Sequence, residues 1–388
     1  MAKNVSIAGE VLKFALAAVY AVLLLLLGPV SVWLVFTAQT AIGKGVAAMG
    51  LLTLGIAADL FVWFRRPAHP RLWGGSTVVL TLAWLALGFV ILRAAPSGEA
   101  PPGSPVSHHF TSSAAFPRYA LANVFPEVEQ VNLGLWVAPV LDPILTGVQG
   151  RRVSRVALGV YEQMRRDADF RALGSAMCWT YADVLGLPFD VGHYYLYVPR
   201  RLPAGPRPAI LFLHGSAGNL KAYTWLWSKL AKPHGCVVIA PSYGRGGWRR
   251  PGATDAALKA LEHAAKDTKI DTRRVFLAGL SNGGLGVCRL ARDHARRFRG
   301  LVLISPVMPR SVHDKAFHDL WRGRPVLVLA GGADRRIPLE SLRRHTAAMK
   351  AGGVNVKEIV YPDEDHFLFF SKSQDVLKNI SAWMTELE

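Results

Sequence analysis

The chain has few cysteines and few acidic residues for its length. Three cysteines, Cys178, Cys236 and Cys288, occur among 388 residues, and their spacing fits neither a metal-binding motif nor a disulfide framework. Asp and Glu number 27 against 45 Lys and Arg, which gives a net charge of +18. A basic chain is attracted to anionic headgroups, polymers or substrates. No zinc-finger or helix-turn-helix pattern accompanies the charge, so we predict no nucleic-acid partner.

Long apolar runs are concentrated in the first quarter of the chain, over residues 11–38, 45–64 and 72–92. Each run is long enough to cross a hydrocarbon core, which takes about 20 residues. A signal peptide is the alternative for the first run, but its apolar part would span only roughly 7–15 residues. A buried helical bundle is the other alternative. We predict a membrane region over residues 1–95, with three transmembrane helices that contact the lipid bilayer through residues 11–92.

The positions of basic residues predict how these spans are oriented. Basic residues flank the spans at Lys3, Lys13, Lys44, Arg65, Arg66, Arg71 and Arg93. Cytoplasmic loops carry an excess of Lys and Arg. The N-terminus and the turn between the second and third spans have that excess, whereas Lys44 stands alone between the first two. We therefore predict a multi-pass integral membrane protein in which everything after Arg93 is extracytoplasmic.

Two less regular segments follow the apolar runs. Residues 96–115 are rich in Pro, Gly and Ser, which is typical of a linker. His108 and His109 are adjacent there without an obvious third metal ligand, so we interpret them as solvated. Residues 116–190 are predicted to form a helical extension, with helical spacing over 153–170. This extension could serve as a cap over the following domain or lie on the membrane surface.

Strand and helix patterns alternate over residues 191–388, the predicted catalytic domain. Short apolar runs predict strands over residues 194–198, 209–213, 236–240, 275–278, 301–304, 325–330 and 356–361. Helical spacing lies between them, over residues 222–230, 253–265, 285–296, 339–351 and 374–387. Such alternation predicts an α/β domain with a mostly parallel sheet and helices on both faces. Ligands bind at the carboxyl ends of the strands in such sheets.

The strand over 275–278 leads into the motif G-x-S-x-G, formed by Gly279, Ser281 and Gly283. Strand, tight turn and helix are the context of a nucleophile elbow, in which the serine lies on a strained turn. Side chains two residues before or after this serine would clash, which explains both glycines. We predict that Ser281 is a nucleophile.

A second glycine turn, HGSAG, directly follows the strand that ends at Leu213. Backbone N–H groups at such a turn can stabilise the negative charge that develops on a carbonyl oxygen during acyl transfer. We predict an oxyanion hole formed by the amides of Ser216 and Asn282, with Gly215 allowing the turn. Ser216 also lies between glycines and is a rival nucleophile, but no strand–helix elbow surrounds it.

Two more strand ends carry a candidate acid and a candidate base. Asp334 follows a buried strand, and His366 lies between the last strand and the last helix. A serine hydroxyl needs a base, and an acid holds the imidazole in the required tautomer. Asp363 and Asp365 are competing acids. The two arginines that follow Asp334 could also make it an ordinary ion-pair partner.

The order Ser281, Asp334, His366, together with HGSAG, resembles the α/β-hydrolase superfamily over residues 193–388. The segments VFLAGLSNGG, HGSAG and GGADRRIP are similar to its esterase, polyester-depolymerase and prolyl-oligopeptidase-like branches. The resemblance implies an eight-stranded, mostly parallel sheet and a covalent acyl-enzyme, with no cofactor or metal. The segment over residues 308–324, where many relatives insert a lid, is short in this chain.

These features predict a membrane-anchored serine hydrolase that cleaves carboxylic esters, a carboxylesterase or a lipase-like enzyme. Lipid or polyester substrates suit a domain tethered near a bilayer. Three alternatives stay open at this point: a serine peptidase of the same fold, an acyltransferase, and a non-catalytic membrane scaffold. The sequence indicates neither the natural substrate nor the oligomeric state.

Overall fold

Two compact units share the chain in the computed structural model. The structure describes residues 2–65, 70–142, 144–171, 173–187, 192–200, 205–243 and 247–387. The first unit combines Met1–Ala95 with Arg118–Val131, and the second combines Pro96–Pro117 with Asn132–Glu388. The extension predicted over residues 116–190 is therefore divided. Residues 118–131 belong to the unit of apolar helices, and the rest of the extension belongs to the unit that contains the sheet.

Three long helices make up most of the first unit: α1 (Ala2–Thr37), α2 (Ala41–Arg65) and α3 (Pro70–Ala94). Within them, Glu10–Thr37, Ala41–Trp63 and Gly75–Ala94 are long and apolar enough to cross a membrane, with mean hydropathies of 2.4, 1.9 and 2.1. Large apolar side chains, among them Leu25, Phe36 and Val79, are exposed on the outside of these helices. A helix that is apolar on all sides is typical of a membrane span or a buried core.

A buried carboxylate in the first unit caps one of these helices. Two shorter helices, α4 (Leu121–Val124) and α5 (Glu127–Leu141), follow in the chain. The Glu129 carboxylate accepts hydrogen bonds from the backbone N–H groups of Gln39 and Thr40 at 2.9 and 2.8 Å. The Thr40 hydroxyl donates a further bond to it at 2.8 Å. These groups lie at the start of α2, where the helix dipole favours negative charge.

An eight-stranded sheet forms the centre of the second unit. Its strands are β1 (Val106–Phe110), β2 (His193–Tyr197), β3 (Arg207–Leu213), β4 (Val237–Pro241), β5 (Ile270–Leu280), β6 (Gly300–Ile304), β7 (Pro325–Gly331) and β8 (Asn355–Tyr361). Their spatial order is β1-β2-β4-β3-β5-β6-β7-β8. Strand β2 is antiparallel to both neighbours, and the remaining pairs are parallel. The predicted mostly parallel sheet is thus confirmed.

Helices cover both faces of this sheet. They are α6 (Gly147–Arg166), α7 (Ala168–Arg171), α8 (Met177–Leu185), α9 (Lys221–His234), α10 (Ala253–Thr268), α11 (Gly283–Asp293), α12 (Lys315–Trp321), α13 (Leu339–Ala351), α14 (Leu368–Ser371) and α15 (Ser373–Thr385). Alternate strand residues face opposite sides. Leu277 of β5 joins the core that includes α10 and α11. Phe276 instead meets Trp383 of α15, and Phe212 of β3 meets Trp227 of α9, at ring-centroid distances of 5.8 and 5.5 Å.

Strand β1 lies within the stretch predicted to be a linker, so that prediction is wrong for Val106–Phe110. The strand pairs with β2 at the edge of the sheet. His108 is half-buried and packed rather than solvated, with its Nε2 3.3 Å from Nδ1 of His193 and its ring centroid 5.0 Å from that of Tyr195. Burial lowers the pKa of His108 well below its ordinary value. The Pro, Gly and Ser residues around the strand favour a linker when only local composition is considered. Pairing with a strand distant in the chain overrides that preference.

The register of the sheet brings four loops to one edge. Leu213 of β3 is paired with Gly279 of β5, Leu280 of β5 with Ile304 of β6, and Gly331 of β7 with Tyr361 of β8. Parallel strands in register end at the same edge, so the loops that follow β3, β5, β7 and β8 meet there. These loops carry every residue that the sequence singles out for chemistry.

Candidate active site

Ser281 occupies a strained turn between β5 and α11. Its φ is +53°, in the left-handed region that a non-glycine residue rarely adopts. A Cβ added at Gly279 would lie 2.7 Å from the backbone of Gly283, and one added at Gly283 would lie 2.1 Å from the carbonyl oxygen of Leu213. Both glycines therefore permit a close backbone approach, as the G-x-S-x-G motif predicts. Such strain at a solvent-facing serine is typical of functional sites.

Replacing Gly283 by alanine is expected to displace this turn, because the obstructing atom belongs to the backbone of β3. We expect a loss of stability of about 1–3 kcal/mol, the usual result of overpacking, together with loss of most activity. Thermal unfolding and ester hydrolysis of the purified full chain would measure both. Gly134→Ala is the matched control, because a Cβ there meets nothing within 4 Å. Equal behaviour of the two variants would contradict the steric argument.

Ser281, His366 and Asp334 form one hydrogen-bonded chain. His366 Nε2 lies 2.9 Å from Ser281 Oγ, and His366 Nδ1 lies 2.8 Å from Asp334 Oδ2. The carboxylate of Asp334 is buried, and its Oδ1 accepts bonds from the backbone N–H groups of Arg336 and Ile337 at 2.8 and 2.9 Å. A carboxylate can only accept, so Nδ1 carries the proton and Nε2 is left to accept the serine hydroxyl. This arrangement prepares the serine for deprotonation.

The competing acids have other partners. Asp365 accepts a hydrogen bond from the backbone N–H of Phe367 at 3.0 Å and lies 3.7 Å from the guanidinium of Arg152. Asp363 is exposed on the loop surface. Arg336 does not form an ion pair with Asp334. Its side chain pairs with Asp142 instead. Among the three acids, the geometry places Asp334 against the imidazole.

The second glycine turn lies beside the serine. A Cβ added at Gly215 would come within 3.3 Å of Cβ of Ser281 and 3.4 Å of the carbonyl oxygen of Leu280. The side-chain amide of Asn282 donates a hydrogen bond to the hydroxyl of Ser216. The hydroxyl of Ser216 is thus engaged by an amide rather than by an imidazole, unlike that of Ser281. The structure brings both residues predicted for the oxyanion hole to the same place.

His214 holds this turn, a role that the sequence alone did not indicate. Its ring is fully buried, and its Nδ1 donates to the carbonyl oxygen of Gly215 at 2.7 Å while its Nε2 accepts from the backbone N–H of Tyr243 at 3.1 Å. The indole N–H of Trp248 donates to the carbonyl oxygen of His214 at 2.8 Å. An imidazole that donates with one nitrogen and accepts with the other is neutral. The position of a histidine directly after a buried strand is the signal that could have identified it.

Burial lowers the pKa of His214 to about 4, with a contribution from His193 and against an opposing effect of Asp183. The pKa in the unfolded chain is about 6.5. Between these values the unfolded state binds a proton that the folded state excludes, so stability falls as the pH drops from about 6.5 towards 4. The expected loss reaches about 3 kcal/mol at the lower limit. Thermal unfolding between pH 7 and 4.5 would measure this loss of stability. The His214→Gln variant should lose less stability over the same pH range. An equal loss in the variant would assign the effect to other groups.

A cavity of about 390 Å³ opens at Ser281 and His366. Its walls are largely apolar and include Leu135, Ala138, Leu145, Tyr223, Val307, Phe369 and Phe370. Helix α5 and the residues that follow it supply the first three of these, so part of the predicted extension lines the site. The ion pair between Arg336 and Asp142 joins this wall to the loop that carries Asp334. The cavity can therefore hold an apolar group next to the serine hydroxyl.

Among the residues that the structure describes, no three or more His, Cys, Asp or Glu side chains are grouped so that they could hold a metal ion. The hydrogen-bonded Ser–His–Asp chain, the glycine turn and the apolar cavity are features of acyl-transfer sites. Together with the strand order, they define the class of fold and site to which this unit belongs.

Two family models match this unit. The model described as alpha/beta hydrolase fold matches residues 210–322, and the model of the prolyl oligopeptidase family matches residues 310–387. These matches support the α/β-hydrolase superfamily for this unit, and the three apolar helices precede the matched region. The resemblance found in the sequence motifs is confirmed.

Curated proteins resemble part of the chain. Dipeptidyl-peptidase 5 of Porphyromonas gingivalis is 23% identical over 208 residues, which cover 42% of this chain and 30% of that protein. A bifunctional acetylxylan esterase/xylanase of Neocallimastix patriciarum is 34% identical over 97 residues, covering 24% of this chain and 14% of that protein. The chain thus spans a minor part of the length of these relatives. Among solved structures, Est1E from Butyrivibrio proteoclasticus has 18% identity and a TM-score of 0.42, covering 50% of this chain and 93% of that one.

Proposed function

We propose that this chain is a membrane-anchored serine hydrolase that cleaves carboxylic esters through a covalent acyl-enzyme. The observation that carries the proposal is the hydrogen-bonded chain from Ser281 through His366 to Asp334, at 2.9 and 2.8 Å. Each member has the partner that its role requires. A scaffold without catalytic function would have no need for this arrangement beside a cavity.

The reaction begins when Ser281 Oγ attacks the ester carbonyl carbon and His366 Nε2 takes the hydroxyl proton. Asp334 holds the imidazole in place and stabilises its positive charge. The backbone amides of Ser216 and Asn282 donate to the oxyanion. The tetrahedral intermediate then expels the alcohol, which receives the proton from His366. A water molecule, activated by the same imidazole, hydrolyses the acyl-enzyme and restores Ser281.

The membrane part of the proposal is supported by the three helices that are long and apolar enough to span a bilayer. The distribution of Lys and Arg around them favours an extracytoplasmic catalytic unit. A reporter enzyme fused after Glu388 tests this orientation. Signal from a periplasmic or extracellular reporter is expected, whereas signal from a cytoplasmic reporter would exclude it.

A peptidase is the second candidate, because the prolyl oligopeptidase family model matches residues 310–387 and one relative is a dipeptidyl-peptidase. The same triad would then protonate an amine leaving group instead of an alcohol. Transfer of the acyl group to an acceptor other than water is a further variant of the same chemistry.

The experiment that tests the proposal compares ester and amide substrates with the full chain in a non-ionic detergent. A p-nitrophenyl ester series from acetyl to palmitoyl is expected to be hydrolysed, and a fluorophosphonate is expected to label Ser281. Hydrolysis of peptidyl anilides without hydrolysis of esters would favour the peptidase. Labelling without either hydrolysis would favour acyl transfer, and absence of labelling would overturn the serine mechanism.

A further inference from the structure

A second and larger depression lies in the same unit, and the reaction proposed above does not use it. This groove has a volume of about 1140 Å³, against about 390 Å³ for the cavity at Ser281. Its walls come from α6, α9 and the segment that runs from Phe370 into α15. Buried apolar side chains form its floor, among them Val160, Leu226, Leu230 and Leu377. Such a floor favours hydrocarbon.

Basic side chains surround this floor. Arg155, Arg166, Lys229, Lys372 and Lys378 line the groove. Two acidic residues, Asp167 and Asp375, line it as well. The groove therefore combines an apolar floor with an excess of positive charge, which is complementary to an anionic amphiphile.

Part of this positive charge is already neutralised. Lys229 lies 3.0 Å from Asp167, and Arg166 lies 2.9 Å from Glu162. The other three cations, Arg155, Lys372 and Lys378, are exposed. Within the described part of the chain, none of these three has an ion pair or a hydrogen bond through its side chain. They are available to bind phosphate or carboxylate oxygens.

The groove meets the catalytic cavity at Phe370. The side chain of Phe370 lines both, and its ring centroid lies 5.6 Å from that of Tyr223, which also lines the cavity. Ser371 and Lys372 continue directly into the groove. The basic groove thus adjoins the apolar cavity at this aromatic residue, so a single branched molecule that passes Phe370 could occupy both.

We propose that the groove binds the phosphate-bearing part of an anionic glycerophospholipid while one of its acyl esters lies at Ser281. The cleaved acyl chain would occupy the cavity, the phosphate would contact Lys372, Lys378 and Arg155, and the second chain would lie on the apolar floor. This inference rests on the proposed function and names its substrate class. It also accounts for the position of the cations beside an apolar surface, where a neutral substrate would not require them.

The test compares dioctanoyl phosphatidic acid with dioctanoylglycerol, which has the same acyl esters and no phosphate, in non-ionic micelles. The wild-type full chain should favour the phosphatidic acid in kcat/KM. The Lys372→Glu/Lys378→Glu variant should lose about tenfold on the phosphatidic acid, as expected for two reversed surface charges, and less than twofold on dioctanoylglycerol. The matched control is Lys266→Glu/Lys350→Glu, which changes the net charge equally on exposed faces of α10 and α13.

Equal losses in the groove variant and the control variant would assign the effect to net charge and overturn the proposal. A wild-type preference for dioctanoylglycerol would also overturn it.

Binding of dioctanoyl phosphatidic acid to the Ser281→Ala protein provides a readout that does not depend on turnover. The groove substitutions should weaken this binding about tenfold, and unchanged binding would overturn the groove assignment. If no ester is hydrolysed and no phosphonate labels Ser281, the proposed function fails, while selective loss of binding in the groove variant would still support the groove as a phospholipid site.

Discussion

Replacing Ser281 by alanine is expected to lower kcat for ester hydrolysis by about a millionfold, which corresponds to about 8 kcal/mol of lost transition-state stabilisation. The variant lacks the hydroxyl that we propose forms the acyl-enzyme, whereas His366 and Asp334 are unchanged. Substrate binding in the cavity of about 390 Å³ should change little, because a single hydroxyl is removed from a wall that is largely apolar. Steady-state kinetics with p-nitrophenyl butyrate and labelling by a fluorophosphonate measure both consequences.

Ser216→Ala is the matched control for this prediction. Its hydroxyl accepts a hydrogen bond from the side chain of Asn282, and the backbone amide proposed for the oxyanion hole remains after the substitution. We expect less than a tenfold decrease in kcat and full labelling of Ser281. A larger loss for Ser216→Ala than for Ser281→Ala would exchange the roles of the two serines.

Asp334→Asn is expected to lower kcat by about ten-thousandfold with KM nearly unchanged. Oδ1 of Asp334 accepts two backbone N–H groups, so the asparagine oxygen would keep that position and its NH2 group would face His366. An NH2 group can only donate, so Nδ1 would have to accept and the proton would move to Nε2. In that tautomer His366 can no longer take the proton of Ser281.

Asp365→Asn separates this effect from a general loss of charge near the histidine. Asp365 lies one residue before His366, but its bond goes to the backbone N–H of Phe367. An asparagine oxygen can still accept that bond, so we expect kcat to stay within about threefold of the wild type. A loss comparable to that of Asp334→Asn would show that the orienting acid has been assigned to the wrong residue.

The elements of the sheet and the positions of the reactive residues could be predicted largely from the sequence. The runs at 209–213 and 325–330 are continuous apolar stretches between turn signals, and they form β3 and β7. The glycines around Ser281 mark a turn that no other residue permits, as the clashes at Gly279 and Gly283 show. These signals are local: periodicity and steric exclusion act over a few residues.

Predictions failed where structure depends on partners that are distant in the chain. Strand β1 lies in a segment with linker composition and is formed by pairing with β2 some 90 residues later. Glu129, in the part of the extension that belongs to the first unit, binds the start of α2 through hydrogen bonds to Gln39 and Thr40. Nothing in the local pattern around Glu129 distinguishes it from an ordinary helical glutamate.

The sequence by itself determined the order of the chemistry along the chain, with the serine, the acid and the histidine each at the end of a strand. It also determined the apolar length of the three N-terminal helices, because hydrophobicity is additive over a run of residues. Only the tertiary structure decided which acid faces His366, that Arg336 pairs with Asp142 instead of Asp334, and that a basic groove adjoins the cavity at Phe370. These outcomes depend on side-chain positions at distances of a few ångströms, which arise only when remote segments pack together.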